Sequence, residues 1–193
     1  MDINDNPKSG ILLHPTALPG PYGIGEIGPH AYRFADHLSD MGQTLWQILP
    51  IGPTDFHNSP YSSMSTFAGN HLLISLDLLL EDDLLDSKIL EEYQAANLHK
   101  IIFNDVINFK LPILKQVGRN FDKKAPIEKK ISFEQFCINQ SYWLDDYSRY
   151  WALKEENDQK SWFEWKLSTV QKPPSMVPAK ENTSDAIRSE YTV

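Results

Sequence analysis

Three stretches decide the fold: Gly10-Ile11-Leu12-Leu13-His14, stopped by Pro15; Pro29 to Gly42, with Ala31, Phe34, Ala35, Leu38 and Met41 at helical spacing; and Thr44-Leu45-Trp46-Gln47-Ile48-Leu49, closed by Pro50. The first and third are short apolar runs bounded by proline, the pattern of buried strands. The middle one opens with proline at the first helical position and ends on a glycine suited to a C-terminal cap, so it predicts a helix of about three turns. Strand, helix and strand so close together make a βαβ unit, whose strands must run parallel. In parallel sheets ligands gather at the carboxyl ends of the strands, which directs attention to the loops after Leu13 and after Leu49.

Working outward, eight of the nine glycines and eight of the thirteen prolines fall in residues 1–70, and four of the five tryptophans lie between Trp143 and Trp165. The reading is therefore a first region of strands and shaped loops over 1–70, a mainly helical region over 71–165, and a polar tail over 166–193. Leu72, Leu73, Ile74 and Leu76 fit either a strand or a helix start, and Leu78 to Tyr93 favours helix. Pro112 predicts the start of a short helix after an Asn104-Asp105 turn, and Lys123-Lys124 with Lys129-Lys130 read as a solvated loop. Ser132-Phe133-Glu134-Gln135 fits a capping box that opens one long amphipathic helix reaching Lys154. The last residues, Asp185 to Tyr191, read as a helix without a stop signal.

With 193 residues, 41% hydrophobic and 23% charged, the chain has ordinary globular composition. Its net charge of -8 disfavours nucleic acid and anionic membrane surfaces as partners. Cys137, the single cysteine, rules out an intramolecular disulfide or a cysteine zinc cluster and suits a reducing cytoplasm. Met1 to Asn6 lacks the basic and apolar regions of a signal peptide. The oligomeric state is left open.

The two loops hold the chemistry-bearing residues. The first carries His14, Thr16, Tyr22 and Glu26; the second carries Asp55, Phe56, His57, Asn58, Ser59 and Tyr61. Gly23 to Gly28 has the spacing Gly-x-Gly-x-x-Gly, but it follows the strand too late, Pro29 removes a helix-start donor, and Glu26 would face a pyrophosphate, so no dinucleotide is expected. Glu26 and Asp55 could form a glycosidase carboxylate pair, but turn or helix capping fits them better. Ser59 has no nucleophile elbow. His30 and His37 suit surface or capping roles, and no metal set is expected. Tyr61, in the Pro-stiffened run Ser59-Pro60-Tyr61, is either packing or a platform for a sugar face. Trp143, Trp151, Trp162 and Trp165 read as core between helices.

Ser9 to Gly28, Gly42 to Thr54, Ser59-Pro60-Tyr61, Phe67-Ala68-Gly69-Asn70, Trp143 to Tyr147, Ala152-Leu153-Lys154 and Trp162 to Trp165 together resemble the 4-α-glucanotransferases, the amylomaltases or disproportionating enzymes. That resemblance implies an α/β chain: the first βαβ portion of a β/α (TIM-type) barrel, followed by a mainly helical inserted subdomain, the barrel incomplete at this length. It implies retaining transfer of α-1,4-glucan segments between maltodextrins, with no cofactor. It also implies that the nucleophilic aspartate, the acid/base glutamate and the stabilising aspartate lie in later segments, so no catalytic residue is assigned here. Tyr61 is expected beneath the donor glucose and Ser59 along the same groove. Phe56 and His57 stand where many bacterial members have tyrosine and glycine. The competing class is a non-catalytic glucan-binding or regulatory module.

Overall fold

The computed structural model describes residues 8–91, 93 and 100–165. They form two compact units that divide between Leu111 and Pro112.

In the first unit, β1 (Gly10–Leu12) and β2 (Leu45–Gln47) pair in parallel with Ile11 opposite Trp46. Helix α1 (Pro29–Asp40) connects them, entered through Pro29 and left at Gly42, whose φ of +72° suits glycine. The βαβ expectation holds. Trp46 links the layers: its indole N–H donates to the Leu13 carbonyl at 2.7 Å, and its ring meets Phe34 of α1 edge-on.

The strands are shorter than the apolar runs and are not buried. Leu12 is 58% exposed, and Ile11, Leu45, Ile48 and Ile51 are exposed too. Among the described residues each strand has one ladder neighbour, so the remaining edges and faces meet solvent. Such edges favour pairing with other chains. The purified chain is therefore expected to associate with rising concentration, checked by sedimentation velocity; a monomer at all concentrations that unfolds sharply and cooperatively would contradict this.

The stretch after Asn70 is neither strand nor continuous helix. Asn70 Oδ1 accepts from Leu72 N–H at 2.9 Å and caps a 3-10 turn over His71–Leu73. Ile74 then bridges Ile27, and α2 (Leu76–Glu81) begins behind Ser75, whose Oγ caps Leu78 N–H. The helix expected over 78–93 breaks: Asp83 takes φ +57° while Leu84 and Leu85 turn inward, and α3 (Ser87–Glu91) follows. Burying two leucines at about 1.5–3 kcal/mol each outweighs a few helical hydrogen bonds.

Helix α4 (Phe103–Lys124) runs through Pro112 instead of starting there. Val106, Ile113, Leu114 and Val117 are buried at helical spacing, which offsets the roughly 3 kcal/mol that an interior proline costs. Ile24, Leu72 and Val106 form one buried cluster of the first unit, with Ile101, Phe103 and Ile107 packed on it.

In the second unit, Lys123-Lys124 close α4 and Lys129-Lys130 lie in the first turns of α5 (Ile127–Asn139), so they are not a loop. Pro126 starts α5, its carbonyl accepting from the N–H groups of Lys129 and Lys130. Ser132 is thus inside the helix, donating to the Glu128 carbonyl at 2.9 Å, and caps nothing. The long helix expected from Phe133 is divided at Gln140, after which α6 (Ser141–Glu156) begins; Trp143 Nε1 donates to Gln140 Oε1 at 2.8 Å. Trp143 and Trp151 are half-buried and Trp165 packs at a tilt against Tyr150, but Trp162 is exposed and belongs to no core. The expected terminal helix and the tail from Lys166 lie outside the described residues.

Candidate functional site

Both shaped loops leave the carboxyl ends of the parallel strands, as expected. His14 ties them together. Its Nδ1 accepts from Thr16 N–H at 3.3 Å and lies 2.8 Å from Thr16 Oγ1, while Nε2 faces the Pro50 carbonyl at 3.3 Å. This pattern assigns the proton to Nε2.

The second loop is a small hairpin. Thr54 bridges Ser63, and Asp55 N–H donates to the Ser62 carbonyl at 3.1 Å. At its tip Ser62 N–H donates to the Ser59 carbonyl at 3.0 Å, closing a turn with Pro60 and Tyr61 at the central positions. Proline presets the first central residue, and Ser59 Oγ accepts from Tyr61 N–H at 3.3 Å, fixing the second. The Tyr61 side chain therefore stands on a rigid turn and is 76% exposed. Packing is not its role within this chain. Ser59 Oγ lies beside it with its own hydroxyl proton still able to donate.

On the opposite limb Asp55 Oδ1 accepts from His57 N–H at 2.9 Å, and Asn58 takes φ +56°. Phe56 is 84% exposed with its ring 3.8 Å from that of His57. The hairpin base is anchored: Ser63 Oγ donates to the Ser65 carbonyl at 2.6 Å, Met64 N–H to the Pro53 carbonyl at 2.8 Å, and Asn70 N–H to the Ile51 carbonyl at 2.8 Å.

The first loop folds tightly on itself. A Cβ at Gly25 would sit 2.0 Å from the Pro15 carbonyl oxygen and 2.8 Å from that of Leu18. Gly25→Ala is therefore expected to destabilise the chain by about 2–3 kcal/mol, because backbone must move to admit the methyl. Thermal unfolding followed by far-ultraviolet circular dichroism checks this; an unchanged midpoint would contradict it.

Glu26 and Asp55 do not form a catalytic pair. Asp55 serves its turn, and Glu26 is buried, its Oε2 accepting from Leu76 N–H at the start of α2 at 3.2 Å and its Oε1 paired with Lys110. Burial pushes the Glu26 carboxyl up and the Lys110 ammonium down, each opposed by the other's charge. The Gly23 to Gly28 segment thus surrounds a carboxylate, which is incompatible with a pyrophosphate. Tyr22, among the chemistry-bearing residues of the first loop, is buried: its hydroxyl donates to Asp77 Oδ1 at 2.6 Å, and desolvation with this acceptor raises its pKa. His30 lies against Arg33, and His37 is an exposed residue in the last turn of α1.

Lys110 was not singled out by the sequence reading. The available signal was its place on the α4 face between Val106 and Leu114. A lysine interrupting a buried apolar stripe needs a buried acid.

A parallel strand–helix–strand unit with shaped loops at the carboxyl ends of both strands defines the class: a βαβ unit of a parallel α/β fold. The structure of the amylomaltase from Streptococcus agalactiae in complex with acarbose superposes with a TM-score of 0.84 at 29% identity, covering 96% of this chain and 37% of that one. The 4-alpha-glucanotransferase family model matches residues 13–193. The 4-alpha-glucanotransferase of Aquifex aeolicus is 44% identical over 81% of the chain and 31% of its own length. That of Synechocystis is 39% identical over 88% and 34%, and that of Clostridium butyricum 42% over 79% and 31%. The chain belongs to the 4-alpha-glucanotransferase family. It spans about a third of the length of these curated relatives.

Proposed function

We propose that this chain supplies one wall of the glucan cleft of a 4-α-glucanotransferase that moves α-1,4-glucan segments between maltodextrins, working in the cytoplasm. In this reading the Tyr61 ring stacks on the apolar face of the donor glucose and the Ser59 hydroxyl lines the groove beside it. The observation that carries it is the exposed aromatic ring held on a Pro-stiffened turn at the carboxyl end of a barrel strand. An exposed aromatic costs solubility unless something covers it, and a pyranose face is a suitable cover. The acarbose bound by the amylomaltase neighbour supports the same substrate class.

The reaction is retaining double displacement. An aspartate attacks the anomeric carbon as the glycosidic bond breaks, while a glutamic acid protonates the leaving oxygen. The 4-hydroxyl of a second glucan then attacks the glycosyl-enzyme, gives its proton to the glutamate and releases the aspartate. The family resemblance assigns none of these three carboxylates to residues of this sequence. The chain's part is to orient the donor sugar and to favour the positive charge that develops at the anomeric carbon.

Saturation-transfer NMR with maltoheptaose tests the binding role. Saturation should reach glucose ring protons in the unmodified chain and fall strongly in Tyr61→Ala. Equal transfer in both would remove Tyr61 from the groove.

A further inference from the structure

We propose that Glu26 and Lys110 are a positioning pair that holds both site loops in register for the sugar. This rests on the glucan reading above only for its functional consequence.

Lys110 is fully buried and Glu26 is 5% exposed. An ammonium has three protons, and this one has three acceptors: Glu26 Oε1, the Leu72 carbonyl at 2.7 Å and the Ile74 carbonyl at 2.7 Å. The other Glu26 oxygen takes Leu76 N–H. One side chain of α4 therefore fastens two separate pieces of chain. Glu26 belongs to the first loop, whose other end holds His14 and Thr16. Leu72 lies in the 3-10 turn capped by Asn70, and Asn70 N–H closes the base of the Tyr61 loop on Ile51. The two pieces also meet directly through Ile27 N–H and the Leu73 carbonyl at 2.8 Å.

Stability alone does not call for such an arrangement. A buried ion pair commonly gains little over well-packed apolar side chains, because desolvation offsets the attraction. What it adds is direction. Each proton of the ammonium fixes one acceptor, so the two loops cannot slide past each other without leaving a charge or a carbonyl unpaired in the interior. The pair touches no substrate and acts through the loops it holds.

Hydrogen exchange on the 193-residue chain tests this, with maltoheptaose as the binding probe. Glu26→Asp keeps both charges but withdraws the carboxylate by one methylene, so it cannot reach Lys110 and Leu76 together. Glu26→Gln keeps the length and removes the charge. In both variants, amides of 15–25 and 52–69 should exchange about tenfold faster while those of α1 and α5 stay unchanged, and maltoheptaose affinity should fall about fivefold in parallel. If Glu26→Gln does not fold, Glu26→Asp decides. A folded Glu26→Asp with unchanged loop exchange, or with acceleration spread evenly over the first unit, would overturn the positioning role; so would its failure to fold, which would make the pair a folding element. Absence of maltoheptaose binding in the unmodified chain would count against the glucan reading, and the exchange pattern would still decide the role of the pair.

Discussion

The 193-residue chain by itself is expected to show no disproportionation of maltotriose: neither glucose nor longer maltodextrins should accumulate. In the proposed reading the chain supplies a sugar-holding wall but neither the nucleophile nor the acid, and without them no covalent intermediate would form. Loss of that route removes on the order of a millionfold or more in rate. Joining the chain to the remaining length of the Clostridium butyricum relative, in place of that protein's corresponding third, should restore transfer. Chromatographic analysis of the products checks both halves. Activity in the isolated chain would show that carboxylates within it perform the chemistry, and an inactive but folded hybrid would show that its loops do not fit the family's cleft.

In such a hybrid, Tyr61→Ala should lower kcat about thirtyfold, the equivalent of about 2 kcal/mol. In the proposed stacking the aromatic face and phenolic oxygen would favour the oxocarbenium-like charge that develops on the sugar, so the contact would strengthen toward the transition state and its loss would reach kcat as well as KM. Tyr61→Phe keeps the platform and should cost far less. Because the ring is exposed and its turn is set by Pro60 and Ser59, neither substitution should disturb the fold. Unchanged kcat and kcat/KM in a folded Tyr61→Ala hybrid would remove the ring from the reaction.

The βαβ unit was legible because local signals agreed: Pro15, Pro29, Gly42 and Pro50 punctuate segments whose periodicities differ. The turn that presents Tyr61 was legible for a similar reason, since Ser59 and Pro60 act on their immediate neighbours. Signals failed where burial or an earlier helix start decided the outcome. Pro112 reads as a helix start but is carried inside α4 by the buried residues flanking it in sequence. Ser132 fits a capping box, yet Pro126 had already begun the helix. Leu84 and Leu85 sit on a helical pattern, and their inward turn breaks it. The strands read as buried because apolar runs imply covered faces, whereas the described residues give each strand one neighbour. Lys110 was the largest omission. A single lysine among apolar residues carries no local sign of its partner, and Glu26 is 84 residues away in the chain.

The Ser59-Pro60-Tyr61 turn is proposed to be a glucan-contacting wall of a family transferase. A crystal structure of the hybrid soaked with acarbose tests it most directly. The sugar should lie across the Tyr61 ring in van der Waals contact, with Ser59 Oγ within hydrogen-bond reach of one of its hydroxyls. Acarbose bound in the cleft but out of contact with residues 54–63 would contradict it.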